Sequence, residues 1–134
     1  MKTTAKDIMT SKMIVAKDGM NIEDALKLLV NNKITGLPVV DKEGRMIGIL
    51  SEYDIIAHVG KQPKLEPELF KSAISYSKKV ESVGEDTELS EVLDRFIQLK
   101  YRRLPVLDKT GHLVGIISLR DVMKVLYYRA KVNR

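Results

Sequence analysis

The sequence predicts an α+β (α/β) fold of two tandem units. Each is a short β-sheet packed by two helices, and the two are related by pseudo-twofold symmetry. Three observations predict this. First, residues 34–56 (ITGLPVVDKEGRMIGILSEYDII) align with 101–123 (YRRLPVLDKTGHLVGIISLRDVM) at an offset of 67, with 10 of 23 positions identical and no gap. A self-match at half the length of a 134-residue chain marks an internal duplication. Second, the same offset relates two amphipathic stripes upstream. Third, 44% hydrophobic and 31% charged residues make a globular chain, and a unit of about 60 residues has too thin a core to stand well alone. Two sheets sharing one continuous core answer that need. The expected organisation is a first repeat at 1–60, a linker at 61–79 with a short helix over 68–76, and a second repeat at 80–134.

The elements follow in chain order. A short extended segment opens each unit, at 13–16 and 80–83. Ile22, Ala25, Leu26, Leu29 and Val30 recur at i, i+3, i+4, i+7 and i+8, as do Leu89, Val92, Leu93, Phe96 and Ile97. That is one buried stripe on each of two helices. Asn21 and Thr87 are the N-caps expected, with Glu23, Asp24, Glu88 and Glu91 at the positive helix ends. Leu-Pro-Val then opens a strand in each unit. Asp41–Gly44 and Asp108–Gly111 read as turns closed by glycine, so a second strand follows in each, at 46–50 and 113–117. Neither strand alternates polar with apolar, which predicts burial on two faces. Ser51 and Ser118 mark strand-to-helix junctions, with helices beginning near Glu52 and Leu119. Gly60, Pro63 and Pro67 punctuate the linker.

Composition excludes several chemistries. With no cysteine there is no disulfide, thiolate metal site or thiol nucleophile. Two histidines, His58 and His112, are too few for a multi-histidine metal centre, and each reads as solvated surface. No nucleotide-binding glycine loop and no nucleophile with an adjacent base occurs, so no catalytic residue and no metal ligand is expected. No apolar run approaches a membrane span and no signal peptide is visible, which predicts a soluble cytoplasmic protein without membrane partners. The net charge of +5 is uneven: residues 68–134 hold 13 bases against 9 acids. This favours anionic partners.

Asp54 and Asp121 each lie three residues after a serine, in the first turn of a helix. An ionised carboxylate only accepts hydrogen bonds, so it suits the hydroxyls of a ribose. Ser51 and Ser118 sit where N–H groups and the helix dipole favour an anion. The same Ser-x-x-Asp pattern is also a capping box, and both readings stand at this point. Arg102 and Arg103 precede the second Leu-Pro-Val and suit a phosphate. Their counterparts, Thr35 and Gly36, carry no charge.

Two copies of Leu-Pro-Val-(Val/Leu)-Asp-Lys-x-Gly followed by Gly-Ile-(Leu/Ile)-Ser-x-x-Asp resemble a tandem pair of CBS domains, a Bateman module. The segment Ala5-Lys-Asp-Ile-Met-Thr10 resembles the family's lead-in; the second unit has Ser75-Tyr-Ser-Lys-Lys in that place. The resemblance covers essentially the whole chain and suggests a stand-alone pair. It implies a non-enzymatic sensor that needs no cofactor. Such a sensor binds an adenosine-containing regulatory ligand (AMP, ADP, ATP or S-adenosylmethionine) in clefts between two repeats. Carried over residue by residue, one site (A) uses Ser51 and Asp54 with Arg102 and Arg103, and Val80, Pro105 and Ile49 against adenine. The other (B) uses Ser118 and Asp121 with Thr35 and Gly36, and Ile14, Pro38 and Ile116 against adenine. Glu81 is an acid near site A. Apolar Ile55, Ile56, Val122, Val125 and Leu126 predict a homodimer, as the family commonly forms, and a regulated partner would be a separate protein. The alternatives are a ligand-free interaction module and, less suited to 5% aromatic residues, nucleic-acid binding.

Overall fold

The computed structural model describes residues 2–133. They divide into two compact units, one of residues 14–80 and one joining 2–13 to 81–133. The second is called the composite unit below. The units cross the chain-order division expected above. The first thirteen residues belong with the second repeat, and the linker from 61 onward belongs with the first.

The 14–80 unit contains β1 (Ala16–Lys17), α2 (Ile22–Asn32), β2 (Gly36–Val40), β3 (Met46–Ser51), α3 (Glu52–Gly60) and α4 (Pro67–Lys71), the helix α1 (Ala5–Ile8) lying in the other unit. Its sheet has the order β1-β2-β3, with β1 parallel to β2 and β3 antiparallel to it. β1 pairs only with Val39 and Val40, so Pro38 stands in the central strand without breaking a ladder to β1. Asn21 caps α2 by accepting from the Asp24 N–H at 2.8 Å, as expected. The hairpin turn is held by Asp41 Oδ1, which accepts from the N–H of Glu43 and of Arg45, and by Gly44 at φ +86°. The expected helix over 68–76 is shorter, ending at Lys71. Beyond it the backbone is extended: Ile74 N–H donates to Met20 O, and Ser77 exchanges two bonds with Ile49. Strand-like pairing there takes the hydrogen bonds that more helix would have used.

The composite unit contains α1 (Ala5–Ile8), β4 (Val83–Gly84), α5 (Leu89–Leu99), β5 (Arg103–Leu107), β6 (Leu113–Ser118) and α6 (Leu119–Val132). Its sheet order β4-β5-β6 repeats the first, down to the register shift one residue after the Pro-Val pair. The N-cap of α5 is Glu88 rather than Thr87, because the Thr87 hydroxyl is occupied, accepting from Gly84 N–H at 2.9 Å. The N-terminal segment is tied in at several points. Ala5 and Lys6 donate to Thr87 O and Glu85 O, Leu89 donates to Thr3 O, and Thr10 exchanges two bonds with Ile116.

Each unit has its own cluster of buried apolar residues. One gathers Ile22, Ala25, Leu29, Leu37, Val39, Leu50, Ile55 and Ile74. The other gathers Ala5, Ile8, Val92, Phe96, Leu104, Val106, Ile117 and Val122. Each unit therefore recruits its own extra cover, Ile74 in one and Ala5 with Ile8 in the other. The strands β3 and β6 are not buried on both faces: Met46, Gly48 and Leu50 are buried, and Ile47 and Ile49 between them only half so.

Candidate functional site

Both Ser-x-x-Asp motifs fold as capping boxes at the starts of α3 and α6. Asp54 N–H donates to Ser51 Oγ at 3.1 Å, and Asp54 Oδ2 accepts from the Ser51 N–H and hydroxyl at 2.8 and 3.0 Å. Asp121 N–H donates to Ser118 Oγ at 3.0 Å, and Asp121 Oδ2 accepts from Ser118 N–H at 2.9 Å. The box draws on one carboxylate oxygen, Oδ2. Oδ1 takes no part in either box, so the capping and binding readings are compatible. The two carboxylates differ. The Thr10 hydroxyl lies 3.3 and 3.4 Å from the oxygens of Asp121. Ser77, one repeat away from Thr10, instead accepts from Lys79 N–H at 3.3 Å.

The loop before each Leu-Pro-Val strand lies beside the serine of its own unit. Gly36 is opposite Ser51 in the hairpin, and Glu52 N–H donates to Thr35 O at 2.9 Å. Arg103 is opposite Ser118, and Leu119 N–H donates to Arg102 O at 3.0 Å. Arg102, Arg103 and Arg120 are all exposed. The start of α6 thus carries a cluster of cations that the start of α3 lacks. Of site A, Ile49, Ser51, Asp54 and Val80 belong to the 14–80 unit, and Arg102, Arg103 and Pro105 to the composite unit. Of site B, Ile14, Thr35, Gly36 and Pro38 belong to the first, and Ile116, Ser118 and Asp121 to the second. Pro38 pairs with Ile49 and Pro105 with Ile116 across each hairpin. Both prolines are buried and both isoleucines half-buried, whereas Ile14 is 38% exposed.

Several further residues turn out differently from, or with partners absent from, their sequence reading. His58 is half-buried and partnered: its ring nitrogens lie 3.2 Å from Ser75 Oγ and 3.3 Å from Ser72 Oγ. His112 is half-buried, with Nδ1 2.6 Å from Thr110 Oγ1. Ile55 and Val122 are core residues, so only Ile56 and Leu126 of the five apolar positions are exposed, Val125 being half-buried. Glu81 forms an ion pair with Arg95 at 3.2 Å. Sequence reasoning also missed a pocket of about 230 Å3 beside Asp54, lined by His58, Lys61, Ser75, Tyr76 and Ser77. The available signal was the offset of 67, which equates Thr10 with Ser77 and Met9 with Tyr76. Among the described residues, no group of three or more metal-ligating side chains occurs, and no helix is long and apolar enough to cross a membrane.

Comparison with known proteins agrees with this architecture. The family model of the CBS domain matches residues 5–61 and 72–128. An uncharacterised 17.7 kDa protein of Acidianus ambivalens is 32% identical over 127 residues, covering 94% of this chain and 74% of its own. The chloroplastic CBS domain-containing protein CBSX1 of Arabidopsis thaliana is 31% identical over 90% of this chain, which spans 63% of that relative's length. Among solved structures, CBSX2 in complex with AMP has a TM-score of 0.78 at 31% identity, covering 98% of each chain. The CBS domain pair of protein MJ0100, in complex with 5'-methylthioadenosine and S-adenosyl-L-methionine, has a TM-score of 0.74 at 25% identity, covering 96% of this chain and 98% of that one.

Proposed function

This chain belongs to the CBS domain family, with two copies of the domain, and on that premise we propose that it is a regulatory module that binds an adenosine-containing ligand. The observation that carries the reading is the pair of capping boxes. Each fixes an aspartate at a helix start through Oδ2 and leaves Oδ1 out of the box, an arrangement suited to a ribose diol; at Asp121 the Thr10 hydroxyl already donates to that oxygen. Similar structures hold AMP in one case and methylthioadenosine with S-adenosylmethionine in the other. Asp54 and Asp121 take the ribose in this reading, and Arg102 and Arg103 favour a phosphorylated ligand. The module senses and does not catalyse. Sustained ATP hydrolysis by pure protein, removed by Asp54→Ala, would contradict that part.

Thermal unfolding with adenosine, AMP, ATP, S-adenosylmethionine and short duplex DNA tests the proposal. A ligand at 100 times its dissociation constant adds about 2.7 kcal/mol of stability. A shift with an adenosine compound is expected. No shift with any of them at millimolar concentration sinks the reading, and a salt-sensitive shift with DNA alone would replace it by nucleic-acid binding.

We also propose a homodimer. Ile56 on α3 and Met123 on α6, related by the repeat, are 65% and 56% exposed, which a self-complementary twofold contact would cover. Light scattering should give about 30 kDa, twice the chain mass. A monomer at micromolar concentration contradicts it.

A further inference from the structure

The pocket beside Asp54 runs between α3 and residues 75–77, and its chemistry departs in concert from the equivalent place one repeat away. At the offset of 67, His58 corresponds to Val125, Lys61 to Tyr128, Ser72 to Ala5 and Ser75 to Ile8. In the composite unit, the buried Ala5 and Ile8 pack in the core cluster with Val125 against it. In the 14–80 unit the same contact is polar. Ser72 donates its hydroxyl to Leu69 O, so its oxygen accepts from His58 Nε2–H. Nδ1 of that tautomer accepts from the Ser75 hydroxyl.

Internal satisfaction accounts for the histidine and its two serines. It does not account for Lys61, which is exposed, lines the pocket and has no ion-pair partner among the described residues. Nor does it use the Ser77 hydroxyl proton, since Ser77 Oγ accepts from Lys79 N–H. The pocket therefore offers one carboxylate at its Asp54 end and cationic and hydroxyl donors beyond it. Lys61 lies seven residues after Asp54, two helical turns or about 10 Å along the axis. At about 230 Å3 the pocket is smaller than the roughly 300 Å3 at which sites for whole ligands begin, so it suits an end group.

We propose that this groove holds the phosphate chain of the ligand whose ribose Asp54 takes, with Lys61 as the cation that the 14–80 unit supplies to it. Because Lys61 stands two turns away, its contribution grows with the number of phosphates. The proposal rests on the nucleotide reading above and adds a specificity residue to it.

Titration calorimetry with adenosine, AMP, ATP and sodium tripolyphosphate, on wild type, Lys61→Ala and Asp54→Ala, tests it. Lys61 is exposed, so its truncation leaves the fold intact, which circular dichroism verifies. Lys61→Ala should weaken ATP by about 10-fold or more, AMP by less, and adenosine hardly at all. ATP affinity unchanged in Lys61→Ala but lost in Asp54→Ala overturns the groove and leaves the nucleotide reading standing. Tripolyphosphate binding that Lys61→Ala removes, with no adenosine compound bound, keeps an anion groove and overturns the nucleotide reading. No binding of any of the four probes to wild type overturns both.

Discussion

The segment that crosses the sheet at 8–10 in the composite unit and at 75–77 in the 14–80 unit follows the same backbone course with different side chains. Both segments pair with the last strand at equivalent isoleucines, Ile116 and Ile49. Both also press on an equivalent glycine. A Cβ on Gly48 would overlap the Ser77 carbonyl oxygen and come within 2.5 Å of the Tyr76 ring. A Cβ on Gly115 would overlap Met9 Sδ and reach its Cβ at 3.0 Å. Tyr76 is further anchored, its hydroxyl donating to Asp18 Oδ1 at 2.9 Å. The duplicated fold thus dictates where main chain approaches main chain, and leaves the covering side chain to vary.

Substituting the glycines sharpens this contrast most. Gly48→Ala meets backbone and a rigid ring, so it should cost about 3 kcal/mol or more by displacing the crossing segment. Gly115→Ala meets a flexible methionine, which can move aside, so the expected cost is about 1–2 kcal/mol. Urea denaturation of the two variants measures the difference; equal costs would show that the covering side chain does not matter.

The cation cluster is the next test. Arg102→Ala/Arg103→Ala should weaken ATP by about one to two orders of magnitude and adenosine little. Combined in double-mutant cycles with Asp54→Ala and Asp121→Ala, the arginine pair should couple more strongly to one aspartate. Coupling to Asp121 follows the proximity within the composite unit, and coupling to Asp54 follows the pairing expected from the family resemblance. Equal, negligible coupling to both would make the arginines solvated surface.

Smaller effects separate the two caps. Ser51→Ala and Ser118→Ala each remove a capping box, at about 1 kcal/mol of unfolding free energy. The Ser51 loss should be the larger, because only there does the serine hydroxyl also donate to its aspartate. The smallest expected change is at Tyr76. Burial first, then the hydrogen bond to Asp18 and the charge of that carboxylate, hold its phenol above the ordinary tyrosine value of 10.0. A raised folded value means that this stabilisation is present below pH 10, roughly the unfolded value, and is lost as pH rises through the folded one. Ultraviolet titration should show one late-ionising tyrosine, absent in Tyr76→Phe.

Much of the fold was legible because the duplication doubled every signal. The Leu-Pro-Val strands, the glycine-closed turns and the serine junctions all stand within a residue of their expected places, and the two apolar helical stripes hold except at Val30 and Ile97, the last residue of each, which are exposed. The same residues made the family recognisable. What the sequence hid was long-range. The lead-in segments were assigned to the repeat that follows them in the chain, since local pattern carries no record of which sheet a strand crosses. His58 gave no sign of its partners because Ser72 and Ser75 lie 14 and 17 residues away. Thr87 failed as a cap for a local reason, its hydroxyl being taken by Gly84 N–H within the preceding turn.

The composite unit has one further consequence, for the order in which the molecule assembles. The 14–80 unit is continuous in sequence and can complete its core as soon as residue 80 is available. The other cannot: Ala5 and Ile8 must find partners 75 residues or more downstream, such as Val83, Leu104 and Val122. Closing so long a loop is entropically slower than local pairing. On a growing chain synthesised from its N-terminus, the first thirteen residues therefore wait, apolar side chains uncovered, while the unit encoded after them forms first.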